Sequence, residues 1–328
     1  MNLSQVSKPS RGEPTKRIIV TGGSGFIGAR VVWQLRKAGH NVLNVDMMGP
    51  DAEAIDIRDL VKLADIFGKF KPEFVFHIAG VANARVALDS PVKAVSHNIQ
   101  GTATILEAAR QVKEVKRVVL ASTCWVANAM SNGRLDETSP FLPEGGGHVY
   151  TTTKIASELL CRDFEKLYGQ AFTILRYGIP YGPGMWPGLV LRNFLDRGFA
   201  GEPLTIFGDG SASRKFLHVD DLAAAHVLVL QDVAENQVYN LEGMRFVSVQ
   251  ELAEMVAKFV DDVKIMYKEE PNRAGEFQYF RKLISSDKAY VELGWEPKID
   301  LEEGVRQTVE WYKREMLSRR DMALEARA

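Results

Sequence analysis

The sequence predicts an α/β protein, a doubly wound parallel sheet followed by a smaller C-terminal α/β lobe. Three observations predict it. Short β-branched runs alternate with amphipathic helical stretches from Lys16 onward. A glycine-rich turn, Thr21-Gly22-Gly23-Ser24-Gly25-Phe26-Ile27-Gly28, joins the first such run to the first helix. Beyond residue 177 the texture changes, with Pro180, Gly182, Pro183, Gly184, Pro187 and Gly188 breaking up the alternation.

The first run, Arg17-Ile18-Ile19-Val20, is long enough for a buried strand and too short for a helix. Phe26, Ile27, Val31, Val32 and Leu35 then recur at helical spacing up to Gly39, a residue suited to ending a helix. A strand, a glycine turn and a helix N-terminus in that order form the geometry of a phosphate site in a Rossmann-like fold. Gly22, Gly25 and Gly28 let an anion approach, and the N–H groups opening the helix at Phe26 and Ile27 point at it. The next run, Asn41 to Val45, ends at Asp46, eighteen residues after Gly28. A carboxylate there accepts both ribose hydroxyls of an adenosine and repels a 2′-phosphate, so the expected cofactor is NAD rather than NADP. Two other glycine motifs are excluded. A P-loop needs Gly-Lys-Ser/Thr where Gly28-Ala29-Arg30 stands, and a nucleophile elbow needs Gly two residues after its Ser, where Phe26 stands after Ser24.

Later elements follow the same alternation. Leu60 to Phe70 reads as a helix, and Glu73 to Ile78 as the third strand, closed by Ala79-Gly80. Pro91 opens a long helix through Val95, Ile99, Ala103, Leu106 and Ala109. Arg117 to Ala121 is the fourth strand, ending in Ser122-Thr123. A loop containing Pro140, Pro143 and Gly145-Gly146-Gly147 leads to a helix from about Tyr150 to Tyr168, then a strand from Ala171 to Arg176. The chain closes on a charged helix from about Leu301. The resulting division is a disordered leader (1–15) and an NAD-binding domain (16–177, rejoined by parts of 215–242). Residues 178–328 form mainly a substrate-binding lobe.

Bulk properties narrow the function. The 328 residues carry 41 Lys+Arg against 42 Asp+Glu, a formal net charge of −1, which gives no electrostatic footprint for nucleic acid. Cys124 and Cys161 belong to no metal-type cluster and read as reduced thiols of a cytoplasmic protein. No apolar run reaches membrane-spanning length, and the first fifteen residues lack the apolar core of a signal peptide. His218 beside Asp220 and Asp221 reads as a strand leading into a helix cap, so no metal is expected.

Tyr150 and Lys154 stand four apart on one helical face, downstream of a strand that ends in Ser122-Thr123. A phenol with a pKa of about 10 is a poor base at neutral pH, but an ammonium one turn away and an oxidised nicotinamide both favour the phenolate. Lowering the phenol by roughly three units corresponds to about 4 kcal/mol, within reach of charges in a dry cleft. Thr123 would hold the reacting hydroxyl in line, and Lys154 would also bind the nicotinamide ribose.

Taken together these motifs resemble the extended short-chain dehydrogenase/reductases, in particular the NAD-dependent sugar epimerase/dehydratase family. The resemblance covers about residues 16 to 300. Beyond the features above it rests on Asp56-Ile57-Arg58-Asp59, His77-Ile78-Ala79-Gly80, Asn98 with Gly101, and Leu175-Arg176-Tyr177 with Tyr181-Gly182-Pro183-Gly184. Downstream it includes Phe207 to Asp221, Arg273-Ala274-Gly275-Glu276 and Leu293-Gly294-Trp295-Glu296-Pro297. It implies that Thr123, Tyr150 and Lys154 are catalytic, and that Asp56 and Ile57 flank the adenine. It adds Ala79 and Asn98 to the cofactor site, and Arg214 and Arg273 as a clamp on a nucleotide diphosphate, hence a nucleotide-sugar substrate. It also implies a homodimer through the helix after Pro91 and the Tyr-bearing helix, using Val95, Ile99, Leu106, Ile155, Leu159 and Leu160.

The departures from the family pattern select among reactions. Its dehydratases and decarboxylases carry an acid two residues after the catalytic Thr, those acting on dTDP-sugars with an Asp before it. Here Cys124 and Trp125 occupy those positions. Val126-Ala127-Asn128 replaces Val-Tyr-Gly, Ile179 replaces a phosphate-holding Asn, and Lys215 replaces an Asp after the clamp Arg. The expected function is an NAD-dependent nucleotide-sugar 4-epimerase, a UDP-sugar being the first substrate class. The alternatives are a dehydrogenase, dehydratase or decarboxylase of the same family, or a non-catalytic NAD-binding protein.

Overall fold

The computed structural model describes residues 14–127, 134–141, 148–269 and 283–325, which divide into two compact units. The first unit holds the described residues up to Gly178, Leu222–Glu242, and those from 283 to Glu296. The second holds Ile179–Asp221, the described residues from Gly243, and those from Pro297.

A seven-stranded sheet, parallel throughout, organises the first unit, as the alternation predicts. Across the sheet the strands run Gln237–Leu241, Phe172–Tyr177, Arg117–Thr123, Phe74–His77, Arg17–Thr21, Asn41–Asp46 and Ala52–Ala54. Ile18, Ile19, Val20, Val75, Phe76, Val119 and Ile174 are buried, because crossover helices cover both faces. The Leu60–Phe70 helix shows how the sequence sets such a crossover. Asp59 caps it by accepting from Lys62 N, and Leu63 and Phe67 face inward. Both are fully buried against Ile19, Val75, Ile105 and Val118, about 1.5–3 kcal/mol each.

Two details depart from the sequence reading. Ala52–Ala54 forms a short edge strand, so Phe74–His77 is the fourth strand in chain order and Arg117–Thr123 the fifth. Three residues of Ala-Glu-Ala carry no apolar run by which to foresee it. The long helix after Pro91 is interrupted by a π turn at Ser96–Gln100 before continuing as Gly101–Arg110. Glycine at 101 leaves room for the Ile57 side chain, whose Cδ1 would stand 2.6 Å from a Cβ there.

Strand register gathers the site. Thr21 lies beside Val45 and His77, Thr123 beside Tyr177, and Tyr177 beside Leu241. The carboxyl ends of these strands form the edge where open α/β sheets bind ligands.

In the second unit the Ser213–His218 strand pairs parallel with Ile179–Tyr181 and antiparallel with Phe246–Ser248. Leu204–Phe207 pairs parallel with Ile265–Lys268. The Asp221 carboxylate accepts from the backbone N–H groups of Lys298 and Ile299, ahead of the last helix. This structural use accounts for Asp221 in the acidic pair after His218. Among the described residues no group of His, Cys, Asp and Glu could hold a metal ion.

Candidate active site

The glycine turn closes tightly on itself. Gly22 takes φ +75°, and its N–H donates to Val45 O at 2.9 Å. A Cβ on Gly22 would stand 2.6 Å from Ala79 N, and one on Gly28 would stand 2.0 Å from Gly22 O. Gly25 ends the turn as N-cap of the Phe26–Lys37 helix, and having no side chain it leaves the first helical N–H groups without a side-chain cap from the N-cap position. The Asp46 carboxylate accepts from Ser24 N at 3.0 Å and from Met47 N at 2.7 Å. A cradle with no room for side chains and a carboxylate tied to it suit the pyrophosphate and ribose of a dinucleotide.

The other expected cofactor residues surround this turn. Asp56 is paired with Arg58 at 2.5 Å, which holds its carboxyl down at about 2. Ile57 is buried. Ala79 N donates to Thr21 O at 3.0 Å. Asn98 sits in the π turn, where its amide donates to Val81 O and to Thr153 Oγ1 while its Oδ1 accepts from Val81 N. His77 bridges Thr21 Oγ1 at 2.8 Å and Thr102 Oγ1 at 3.2 Å, and burial drives its pKa to about 3.

Thr123, Tyr150 and Lys154 come together. Three successive residues of the Arg117–Thr123 strand each engage one residue of the Val149–Tyr168 helix. Lys154 Nζ donates to Ala121 O at 2.9 Å, Ser122 Oγ donates to Glu158 Oε1 at 2.6 Å, and Thr123 hydrogen-bonds Tyr150. Tyr150, Lys154 and Glu158 are spaced four apart, so one helical row faces one strand end. Burial pushes the Tyr150 phenol up to about 12, with the Thr123 bond opposing it. Burial draws Lys154 down to about 8, with the Glu158 carboxylate opposing that shift. In the protein alone, therefore, desolvation outweighs the phenolate stabilisation expected from Lys154, and the phenol stays protonated at neutral pH.

Several contributors were missed by sequence reasoning. His148 caps the helix, its Nδ1 accepting from Tyr150 N at 3.1 Å. Histidine carries no helix-start signal of the Ser/Thr/Asp/Asn kind. Glu158 and Arg176 form a buried bidentate pair, with Nη2 to Oε2 at 2.8 Å and Nε to Oε1 at 3.0 Å. A charged residue inside the apolar run Phe172–Tyr177 was a usable signal, since a buried cation demands a partner.

The two positions after Thr123 hold no acid. Cys124 is buried, its thiol donating to Arg176 O at 3.1 Å, and burial pushes its pKa far up. It packs with Ala127, Leu135 and Ile284. A carboxylate does approach from another strand. A Cβ on Gly178 would stand 2.0 Å from Glu242 Oε1, so the Glu242 side chain fills the space that glycine leaves open.

The second unit contains a cleft of about 1220 Å³, lined by Ile179, Val190, Asn193, Phe207, Arg214 and Lys268 among others. Arg214 donates to Ser213 O at 2.8 Å, and the Lys215 ammonium lies 5.5 Å over the Phe246 ring. Arg273, the other expected clamp residue, lies outside the described residues.

Comparison with known proteins agrees with this geometry. The NAD dependent epimerase/dehydratase family matches residues 18–241. The chain is 30% identical over 325 residues to a UDP-glucuronate 4-epimerase of Thermodesulfobacterium geofontis, covering 90% of this chain and 95% of that one. It is 29% identical over 336 residues to a probable dTDP-glucose 4,6-dehydratase of Sinorhizobium fredii, covering 90% and 92%. The solved structure of a UDP-glucose 4-epimerase with UDP-glucose, from Thermotoga maritima, matches with a TM-score of 0.82 at 30% identity, covering 92% of this chain and 99% of that one.

Proposed function

The chain belongs to the NAD dependent epimerase/dehydratase family, with NAD as cofactor, and on that premise we propose that it inverts C4 of a nucleotide sugar. A UDP-sugar is the first substrate class, as for the UDP-glucuronate and UDP-glucose epimerases it resembles. The observation carrying this reading is the bonded Thr123–Tyr150 pair beside Lys154, followed by Cys124 and Trp125 where the family's dehydratases place acids.

Bound NAD supplies the hydride acceptor and donor, together with a positive charge beside the phenol. The turn Gly22 to Gly28 would hold its pyrophosphate and Asp46 its adenosine ribose. Lys154, one turn from Tyr150, would bind the nicotinamide ribose. Thr123 holds the C4 hydroxyl in line, and Tyr150 takes the hydroxyl proton as C4 is oxidised. The 4-keto sugar then turns over in the pocket, and Tyr150 returns the proton as the other face of C4 is reduced. Arg214, with Arg273, would clamp the diphosphate. Cys124 cannot serve as an acid, because its thiol is held protonated and already donates to Arg176 O.

One observation favours a second reading. The Glu242 carboxylate, set against Gly178 at the end of the neighbouring strand, could supply an acid that the positions after Thr123 lack, which would permit dehydration. Incubation with UDP-glucose, UDP-galactose and the corresponding uronates separates the two. Inversion at C4 at constant mass supports the epimerase. A product lighter by one water, abolished in Glu242→Gln, would replace it with a dehydratase.

A further inference from the structure

We propose that Glu158, clamped by Arg176 and Ser122, is a positioning residue that keeps Lys154 charged and in register with Thr123 and Tyr150. This rests on the catalytic reading above. Glu158 is fully buried one turn beyond Lys154, and its carboxylate takes three hydrogen bonds from Arg176 and one from Ser122 Oγ. Arg176 is buried as well, its guanidinium 5.5 Å from the Phe141 ring. Glu158 ties the helix to Ser122, which lies between Ala121, the acceptor for Lys154, and Thr123, the partner of Tyr150. A carboxylate fixed at that point therefore sets how the catalytic row of the helix meets the strand.

The same placement makes Glu158 the anion that matters to Lys154. Facing Lys154 are Tyr150, Glu158 and Cys161 from its own helix, His77 from the adjoining strand, and Arg176 behind Glu158. Tyr150 and Cys161 are driven up by burial and His77 is driven down to about 3, so all three are neutral near pH 7. Among these described groups the remaining one is the Glu158–Arg176 ion pair, and its carboxylate is the end that acts on Lys154. Burial alone would discharge the ammonium, and Glu158 opposes that. Arg176 and Ser122 satisfy the carboxylate in this dry site, so it does not need Lys154 as its own ion-pair partner.

The test is a ¹³C-lysine NMR titration of the full chain, with the Lys154 resonance assigned by its loss in Lys154→Arg. In Glu158→Gln the Lys154 midpoint is expected to fall by about one pH unit or more. Because that variant leaves Arg176 buried without a counterion, Glu158→Leu combined with Arg176→Met removes both charges and keeps an apolar filling, with a smaller fall in the same direction expected. An unchanged midpoint in the folded double variant would overturn the proposal and leave the pair a structural tie alone. The alkaline limb of the turnover profile should move down in parallel with the midpoint. The titration needs no substrate, so it succeeds or fails independently of the epimerase assay.

Discussion

The Ser24 N–H donates to the Asp46 carboxylate at 3.0 Å, tying the glycine turn to the end of the second long strand. On the proposed reading, the carboxylate held by that bond meets the adenosine ribose. Asp46 should therefore decide cofactor choice, with NAD bound at least about tenfold more tightly than NADP. Asp46→Ala should narrow the gap, chiefly by weakening NAD. Equal dissociation constants in the unaltered protein, by calorimetry, would show that the carboxylate does not face the ribose.

Tyr150→Phe should cut turnover by at least about a hundredfold while leaving NAD binding nearly intact, the usual size of a lost acid–base group. The phenol sits at about 12 in the protein alone, with Thr123 the group that opposes burial. Adding NAD should consequently raise phenolate absorbance between about pH 7 and 9, and Tyr150→Phe should abolish the rise. An unaltered absorbance would mean that the nicotinamide charge does not reach the phenol.

Acid should destabilise the fold through two buried histidines. Burial lowers His77 to about 3 and His226 to about 4, against 6.5 in an unfolded chain. The unfolded state thus takes up protons first, so stability is full above about pH 6.5 and falls as pH drops toward 4. Each histidine accounts for roughly 3 kcal/mol or more across that window. His226 accepts from the Tyr177 hydroxyl at 2.7 Å through Nε2, and protonation reverses that bond, the imidazolium then donating to the phenol oxygen. Urea unfolding at stepped pH should show the fall, and His226→Gln should flatten it by about its share; an identical slope would contradict the assignment.

The helix pair that the family resemblance assigns to a two-fold contact does present apolar surface, though not with all the residues expected. Val92, Val95 and Leu159 are 81%, 45% and 45% exposed, whereas Leu106 is 1% exposed and packs in the core. We expect a homodimer, and Val92→Asp with Leu159→Glu should dissociate it. A monomeric mass for the unaltered protein at micromolar concentration would remove the interface.

Much of this site was legible because its chemistry is carried by backbone-determining residues at set spacings. Gly22 and Gly28 appear in the sequence for the reason they appear in the fold, since neither position has room for a Cβ. Asp46 follows from where a buried apolar run must stop. What escaped depends on long-range partners that spacing does not encode. The Gly178–Glu242 contact joins residues far apart in the chain, and the Glu158–Arg176 pair joins a helix to a strand. The His148 cap escaped because the residue type is atypical, and the Ala52–Ala54 edge strand because its residues lack a pattern.

The central claim is that hydride leaves C4 and returns to C4 within one binding event. Incubation with UDP-galactose and UDP-galacturonate deuterated at C4 tests it most directly. The expected result is a C4-inverted product that keeps the deuterium at C4, with constant mass and no free NADH accumulating. Deuterium found at C6 of a dehydrated sugar, or transferred to NADH in solution as a keto product accumulates, would contradict it.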